Sequence, residues 1–214
     1  MIEFQSKFEK LNLLINNAGV LDVSNSKTKD GFESNFGVNH LGHFLLTNLL
    51  MKQLQNAKKE DKENSRVIVV SSEAHRCTNI DWDNLNGEKF YSPYRCYAQS
   101  KLANLLFAYY MHQKFHQSCG INFFSVHPGV VNTQLFKDLG IIDKLSSILK
   151  TYLYRTPLQG ALPILYLSTL PIEDKHSGSY FYEGNFCKSS ANSYHLQNQK
   201  KLFEHSTVYT SAKW

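Results

Sequence analysis

The chain has 214 residues, of which 42% are hydrophobic and 19% are charged, and its formal net charge is +5 at pH 7. This length and hydrophobic content can bury one sizeable core, so we expect a single domain over residues 1–214. The densest basic run, Lys52 to Arg66, is interleaved with Glu60, Asp61 and Glu63, which is typical of a solvated helix end rather than a nucleic-acid patch. No apolar run reaches the roughly 20 residues that span a bilayer, so we expect no membrane span in this chain.

The first half of the chain predicts two strands and two helices. Met1 to Lys10 alternates apolar and charged residues, like the second half of an amphipathic helix. Leu11 to Asn16 is a nearly continuous apolar run, which predicts a strand buried on both faces. Gly31 to Leu54 has apolar residues at mostly helical spacing, and the polar stretch Gln55 to Ser65 predicts a loop. Arg66 to Val70 is rich in β-branched residues and predicts a second buried strand.

The second half continues the alternation of strands and helices. We predict a long loop with room for one short helix over Glu73 to Arg95, helices over Cys96 to Phe115, Asp143 to Tyr154 and Thr156 to Leu170, and strands over Ile121 to Val126 and Ser177 to Tyr182. Continuous apolar strands that alternate with helices predict an α/β fold with a parallel sheet covered on both faces.

The ends of the three clear strands carry small or polar residues. Asn17-Ala18-Gly19 follows the first strand, Ser71-Ser72 the second and Pro128-Gly129 the third. In an open parallel sheet, ligands bind beyond the carboxyl ends of the strands. The sequence therefore predicts a functional site at this edge of the sheet.

Tyr97 is the candidate acid or base of this site, because Lys101 lies one helical turn further on the same face. Tyr110 with Lys114, and Tyr209 with Lys213, have the same spacing, so position decides: Tyr97 begins its helix directly after the loop that leaves Ser72. An ammonium about 4 Å from a phenol can favour phenolate by up to roughly 4 kcal/mol, or about 3 pKa units. We therefore expect Lys101 to lower the pKa of Tyr97, and Ser72 to polarise a substrate oxygen.

Five motifs occur in order on the predicted elements: NNAG at Asn16 to Gly19, VNHLGHF at Val38 to Phe44, VSS ending at Ser72, YAQSK at Tyr97 to Lys101, and HPGVVNT at His127 to Thr133. Together they resemble the classical short-chain dehydrogenase/reductase family, and within it the branch of the retinol dehydrogenases, the WW-domain-containing oxidoreductase and the X-linked dehydrogenase/reductase. The resemblance runs from about Leu11 to about Phe203. It implies a Rossmann-like, doubly wound parallel sheet.

The resemblance also implies roles for single residues. The catalytic set falls on Asn39, Ser72, Tyr97 and Lys101: the tyrosine exchanges the proton, the lysine lowers its pKa and holds the nicotinamide ribose, and the asparagine keeps a water that links the lysine to solvent. The cofactor contacts fall on Tyr97, Lys101, Asn17, Ala18, Gly19, Pro128, Gly129, Val131 and Thr133. The implied cofactor is NAD or NADP, with a slight preference for NADP. The implied substrate is a retinoid, steroid or other lipid-like alcohol or carbonyl, and a homodimer is possible.

One family feature is absent from the sequence. The resembling proteins begin with a strand, a glycine-rich TGxxxGIG turn and a helix, and no such motif occurs in these 214 residues. Because this turn presents backbone N–H groups to the pyrophosphate, we expect an N-terminally truncated fold that binds the cofactor weakly. The alternative is a catalytically silent regulator or dimerisation partner, which would use the surfaces of the helices Gly31 to Leu54 and Cys96 to Phe115.

The remaining histidines and cysteines do not predict a metal site. His40 and His43 lie three residues apart with no third ligand nearby, so we expect them to pack in the core. The four cysteines, Cys77, Cys96, Cys119 and Cys187, form no CxxC pair. They fit a reduced, cytoplasmic location, or the cytosolic face of the endoplasmic reticulum if a longer form carries a membrane anchor.

Overall fold

The computed structural model describes residues 2–61, 64–131, 154–169, 171 and 174–214. The helices are α1 (Ile2–Lys7), α2 (Ser34–Phe36), α3 (Gly42–Asp61), α4 (Pro93–Cys119), α5 (Pro157–Thr169) and α6 (Leu196–Thr210). A π-helical turn (Gly37–Leu41) joins α2 to α3, and 3₁₀ turns cover Glu73–Cys77, Asp174–His176 and Ala191–Tyr194. The strands are β1 (Leu13–Asn16), β2 (Ser65–Val70), β3 (Ile121–His127), β4 (Ser179–Tyr182) and β5 (Asn185–Cys187).

The five strands form one sheet in the order β1-β2-β3-β4-β5. The pairs from β1 to β4 are parallel, and β5 returns antiparallel to β4. Ile15 lies opposite Ile68, and Ile68 lies opposite Phe124, so the carboxyl ends of the first three strands meet at one edge. This arrangement confirms the predicted α/β fold with a mainly parallel sheet.

Alternate residues of the central strands pack into two separate cores. Val67, Val69 and Phe123 are fully buried in a cluster with Phe44 of α3 and Phe107 of α4. The alternate residues of the same strands pack on the other face of the sheet against Leu167 and Ile164 of α5. These strand residues are Ile68, Val70, Phe124 and Val126. Because both faces of β2 and β3 are covered, every residue of these strands can be apolar without reaching solvent. The prediction of helices on both faces is thus confirmed.

Two predictions about the elements were wrong, and one long helix was not predicted. Helix α3 continues to Asp61 through the predicted loop, because Lys, Gln, Ala and Glu favour helix even without an apolar stripe. Ile15 of β1 is 36% exposed, so this strand is not buried on both faces. Helix α6 was missed, because only Leu202 and Phe203 among its large apolar residues are buried.

The other predicted elements are found with shifted ends. Helix α4 begins at Pro93, three residues before the predicted start, and continues to Cys119. Helix α5 begins at Pro157, and the backbone N–H of Gln159 donates to Thr156 Oγ1 at 3.2 Å, as expected for a capping threonine. Most of the helix predicted from Asp143 to Tyr154 lies outside the described residues. Among the described helices, none is both long and apolar enough to cross a bilayer.

Candidate active site

The carboxyl ends of β1, β2 and β3 bring the predicted residues to one edge of the sheet. Ser71 and Ser72 follow β2, and the Ser71 hydroxyl donates to the carbonyl of Lys101 at 2.7 Å. Asn104 Nδ2 donates to the carbonyl of Val70 at 3.1 Å. These two hydrogen bonds fix one face of α4 against the end of β2, so they determine where the side chains of that face lie.

The side chains of Ser72 and Tyr97 lie at this edge, close enough for the Ser72 hydroxyl to lower the pKa of the phenol. Tyr97 is 6% exposed and lies in the first turns of α4, while Lys101, 4% exposed, follows one turn later. Lys101 Nζ lies 5.5 Å from the centroid of the Tyr97 ring. The serine, the phenol and the ammonium are therefore brought together as the spacing predicts.

The expected pKa shift of Tyr97 was wrong in direction. Burial raises the pKa of the Tyr97 phenol above its usual value, and the Ser72 hydroxyl opposes this only in part. Burial also lowers the pKa of Lys101 to about 8, because desolvation disfavours the charged ammonium. Removing the phenol and the ammonium from water disfavours the charged form of each, and the Tyr-x-x-x-Lys spacing does not reveal this cost.

Lys101 has hydrogen-bonding capacity to spare. Its ammonium carries three N–H donors, and within the described residues it makes one hydrogen bond, to the carbonyl of Val70 at 3.4 Å. A buried ammonium with unused donors is costly unless a ligand supplies acceptors. The two hydroxyls of a ribose are acceptors of this kind.

Asn39 lies in the π-helical turn between α2 and α3 and is fully buried. Its Nδ2 donates to Ser100 Oγ and to the carbonyl of Val20, both at 2.9 Å, and its Oδ1 accepts from the Val20 N–H at 2.7 Å. The side chain thus ties α4 to the segment that follows β1. The Asn39 carbonyl is in hydrogen-bonding contact with His43 Nδ1 at 2.9 Å.

The segment Asn17-Ala18-Gly19 is exposed directly after β1. A Cβ atom on Gly19 would lie 3.3 Å from Asn39 Oδ1 and 3.4 Å from Lys101 Nζ. The glycine therefore allows the backbone to approach both side chains closely. A larger residue here would crowd the buried ammonium.

The residues after β3 make a different set of contacts. Gly129 has φ of +87°, and a Cβ atom there would lie 2.5 Å from the Arg155 side chain and 2.8 Å from Glu183. Arg155 and Glu183 form an ion pair over this glycine. Val131 packs its side chain on Gly160 of α5. Thr133 lies outside the described residues.

A second set of hydrogen bonds behind Ser72 was not predicted. His75 is fully buried, and its Nδ1 lies 2.6 Å from the Ser72 carbonyl, which can only accept, so Nδ1 carries the proton. Its Nε2 then accepts from the Ser190 N–H at 3.1 Å. The neighbouring Glu73 accepts from the Tyr180 hydroxyl at 2.7 Å. The sequence carries no signal for contacts that span more than 100 residues.

Three more buried histidines surround the site and are neutral at neutral pH. Burial lowers the pKa of His40 to about 3 and those of His43 and His127 to about 4. The Lys101 charge adds to the shift of the latter two. His40 packs in the core as predicted, with its Nε2 2.8 Å from Ser206 Oγ. The site therefore contains one buried cation among neutral imidazoles.

A sequence profile described as short chain dehydrogenase matches residues 1–141. The chain belongs to this family. Human polyprenol dehydrogenase is 38% identical, over 97% of this chain and 63% of that protein. Mouse retinol dehydrogenase 11 is 40% identical, over 92% of this chain and 59% of that protein. These relatives confirm the retinol dehydrogenase branch.

Two solved structures agree with the observed fold. An uncharacterized protein from Mycobacterium paratuberculosis matches 99% of this chain with a TM-score of 0.75 and 30% identity. The NADPH-bound carbonyl reductase from chicken fatty liver matches 88% of this chain with a TM-score of 0.61 and 22% identity, which supports the fold alone. The chain spans about three fifths of the length of the curated relatives named above.

Proposed function

We propose that this short-chain dehydrogenase is an NAD(P)-dependent oxidoreductase that interconverts an alcohol and a carbonyl on a lipid-like substrate. The proposal is carried by the proximity of Ser72 to Tyr97, beside the Lys101 ammonium at the carboxyl edge of the sheet. The substrate class follows from the names of the relatives, which act on retinol and polyprenol. Steroids fit the same description.

Tyr97 exchanges the proton with the substrate oxygen in this proposal, and the Ser72 hydroxyl orients that oxygen. A phenol whose pKa is raised by burial holds its proton at neutral pH. Tyr97 is therefore a proton donor in this state, which suits reduction of a carbonyl. Lys101 supplies positive charge beside the developing anion.

A nicotinamide dinucleotide would supply the hydride. The unused N–H donors of Lys101 fit its ribose hydroxyls, and the open backbone at Gly19 leaves room beside them. We assign the remaining cofactor contacts to Asn17, Ala18, Pro128, Gly129, Val131 and Thr133, and to Asn39 the water that links Lys101 to solvent. Either NAD or NADP fits these groups. Because the sequence contains no TGxxxGIG turn, we expect the chain itself to bind the cofactor weakly.

The test is a titration of the purified chain with NADPH and with NADH to millimolar concentration, followed by nicotinamide fluorescence. Turnover of retinol and of a polyprenol is then measured with the oxidised cofactors NADP+ and NAD+ at millimolar concentration, because oxidation of an alcohol needs a hydride acceptor. We expect saturable binding, and oxidation that falls by at least about a hundredfold in Tyr97→Phe. Tyr110→Phe is the matched control, because it removes the same hydroxyl from the other Tyr-Lys pair of α4.

The proposed oxidoreductase activity would be rejected if the chain bound no cofactor at millimolar concentration, or if Tyr97→Phe and wild type had equal turnover. The silent regulator would then remain, acting through the outer surfaces of α3 and α4. Helix α6 already covers part of the surface of α4: Leu202 packs with Leu102 and Leu106, and Phe203 packs with Phe107. This covering leaves less of α4 available to a partner.

A further inference from the structure

Two histidines lie side by side near the carboxyl end of α4, away from the proposed active site. His112 and His116 are one helical turn apart, and their rings stack with centroids 4.8 Å apart and planes at 29°. His112 follows Tyr97 by 15 residues, or about 22 Å along the helix axis. The pair is therefore independent of the proposed dehydrogenase function.

The Nδ1 atom of each ring is already used by the protein. His116 Nδ1 lies 3.2 Å from the Ile121 carbonyl, which can only accept, so Nδ1 carries the proton and Nε2 keeps its lone pair. His112 Nδ1 lies 2.9 Å from Ser177 Oγ, which also accepts from the Phe123 N–H at 3.0 Å. Hydrogen bonds of this kind on one ring nitrogen orient histidines that bind a metal through the other.

The protein backbone also fixes the ring of His112. Gly178 has φ of +76°, and a Cβ atom there would lie 2.5 Å from the ring. The backbone of the segment before β4 therefore packs directly on the imidazole. A ring that is held on two sides loses little freedom when it binds a ligand.

The two rings open into a cleft of about 480 Å³. Gln113, Gln117 and Lys175 also line it, and the positive charge of Lys175 opposes a cation. Ser177, whose hydroxyl is in hydrogen-bonding contact with His112 Nδ1, lines the same cleft.

We propose that this cleft binds one divalent transition-metal ion, of the Zn²⁺ and Ni²⁺ class, through Nε2 of His112 and Nε2 of His116. Imidazole suits these ions, and two histidines four residues apart on a helix are a known metal-binding spacing. Within the described residues, no cluster of three or more His, Cys, Asp or Glu is found, so water completes the coordination. The ion would bridge two successive turns at the carboxyl end of α4.

The experiment uses the full chain without an affinity tag, stripped with chelator and titrated with Zn²⁺ in a calorimeter. We expect one equivalent to bind, and both His112→Gln and His116→Gln to weaken binding at least tenfold, because each leaves a single imidazole. His195→Gln is the matched control: His195 is exposed and lines a different cleft. Nitrogen NMR of the histidine side chains should show the Nε2 signals of both rings shifting with Zn²⁺.

Unchanged Zn²⁺ affinity in either single variant, with circular dichroism showing that the variant is folded, would overturn the proposal. So would shifts at Nδ1 instead of Nε2. If the histidine variants fail to fold, Lys175→Gln replaces them: loss of the ammonium from the cleft should tighten Zn²⁺ binding severalfold. Weaker or equal binding in that variant would also count against the site.

Discussion

Helix α4 carries the same Tyr-x-x-x-Lys spacing twice, and the two pairs lie in different surroundings. Lys101 Nζ is 5.5 Å from the Tyr97 ring, and Lys114 Nζ is 5.9 Å from the Tyr110 ring. The first pair is buried at the end of the sheet, whereas Lys114 is exposed and lies 4.3 Å from the centroid of Phe203. The two pairs thus have the same sequence spacing and nearly the same distance between ammonium and ring, and they differ in burial.

This comparison shows what a sequence motif leaves out. The first pair faces the strand ends, where the hydroxyl of Ser72 meets the phenol. The second pair faces α6, where Tyr110 packs on Phe203 with ring centroids 4.7 Å apart. One pair is held among groups that can bind and react, and the other stabilises the packing of two helices.

The largest expected effect comes from Phe203, the ring against which both residues of the second pair pack. Phe203 is 7% exposed and contacts Phe44, Tyr110 and Trp214. Phe203→Ala should lower the free energy of unfolding by about 3–5 kcal/mol, because it removes the ring on which this cluster packs. Urea denaturation measures the change. Phe203→Leu should recover most of it, and a loss below about 1 kcal/mol in the alanine variant would refute the packing role.

The next effect concerns the buried ammonium of the first pair. The pKa of Lys101 is about 8 in the folded chain and 10.5 without burial. Between these values the unfolded chain binds more protons, so Lys101 makes stability rise as the pH rises through this window. Lys101→Met cannot gain stability in this way. The difference in the free energy of unfolding between the variant and wild type should therefore shift by about 3 kcal/mol in favour of wild type when the pH rises from below 8 to above 10.

Urea denaturation at several pH values measures that difference. Lys114→Met is the matched control, and its stability relative to wild type should change less over the same window, because Lys114 is exposed. If the two lysine variants follow the same pH profile, burial does not distinguish the two pairs.

A smaller effect is expected on the acid side, from the histidine beside Lys101. The pKa of His43 is about 4 in the folded chain, below its usual 6.5, mainly because of burial. The unfolded chain binds more protons below pH 6.5, so stability falls as the pH decreases. Between pH 7 and pH 5, wild type should lose about 2 kcal/mol more than His43→Gln. Parallel stability curves for the two proteins would show that His43 titrates normally.

The smallest effect is expected from the hydroxyl of the second pair. Tyr110 is half-buried and its described contacts are made by its ring. Tyr110→Phe should change the free energy of unfolding by no more than about 0.5 kcal/mol, and thermal unfolding can test this. A larger loss would mean that the hydroxyl makes a contact as important as that of Tyr97.

Much of the fold followed from local pattern. The apolar runs at β2 and β3 and the helical spacing of α4 identified these elements to within a few residues. The ends of α3 and the whole of α6 could not be predicted from local pattern. Polar helices are stabilised by contacts with distant segments rather than by an apolar stripe of their own. Leu202 and Phe203 find their partners on α4, about 100 residues earlier.

The sequence by itself determined the order of the motifs, the parallel sheet and the presence of Ser72, Tyr97 and Lys101 at one edge, because strand ends and helical spacing are local properties. Only the tertiary structure decided the protonation of Tyr97, since its pKa depends on how far the folded chain excludes water. It likewise decided that His75 joins Ser72 to Ser190. Desolvation and long-range hydrogen bonds depend on segments far apart in the chain, and no local pattern records them.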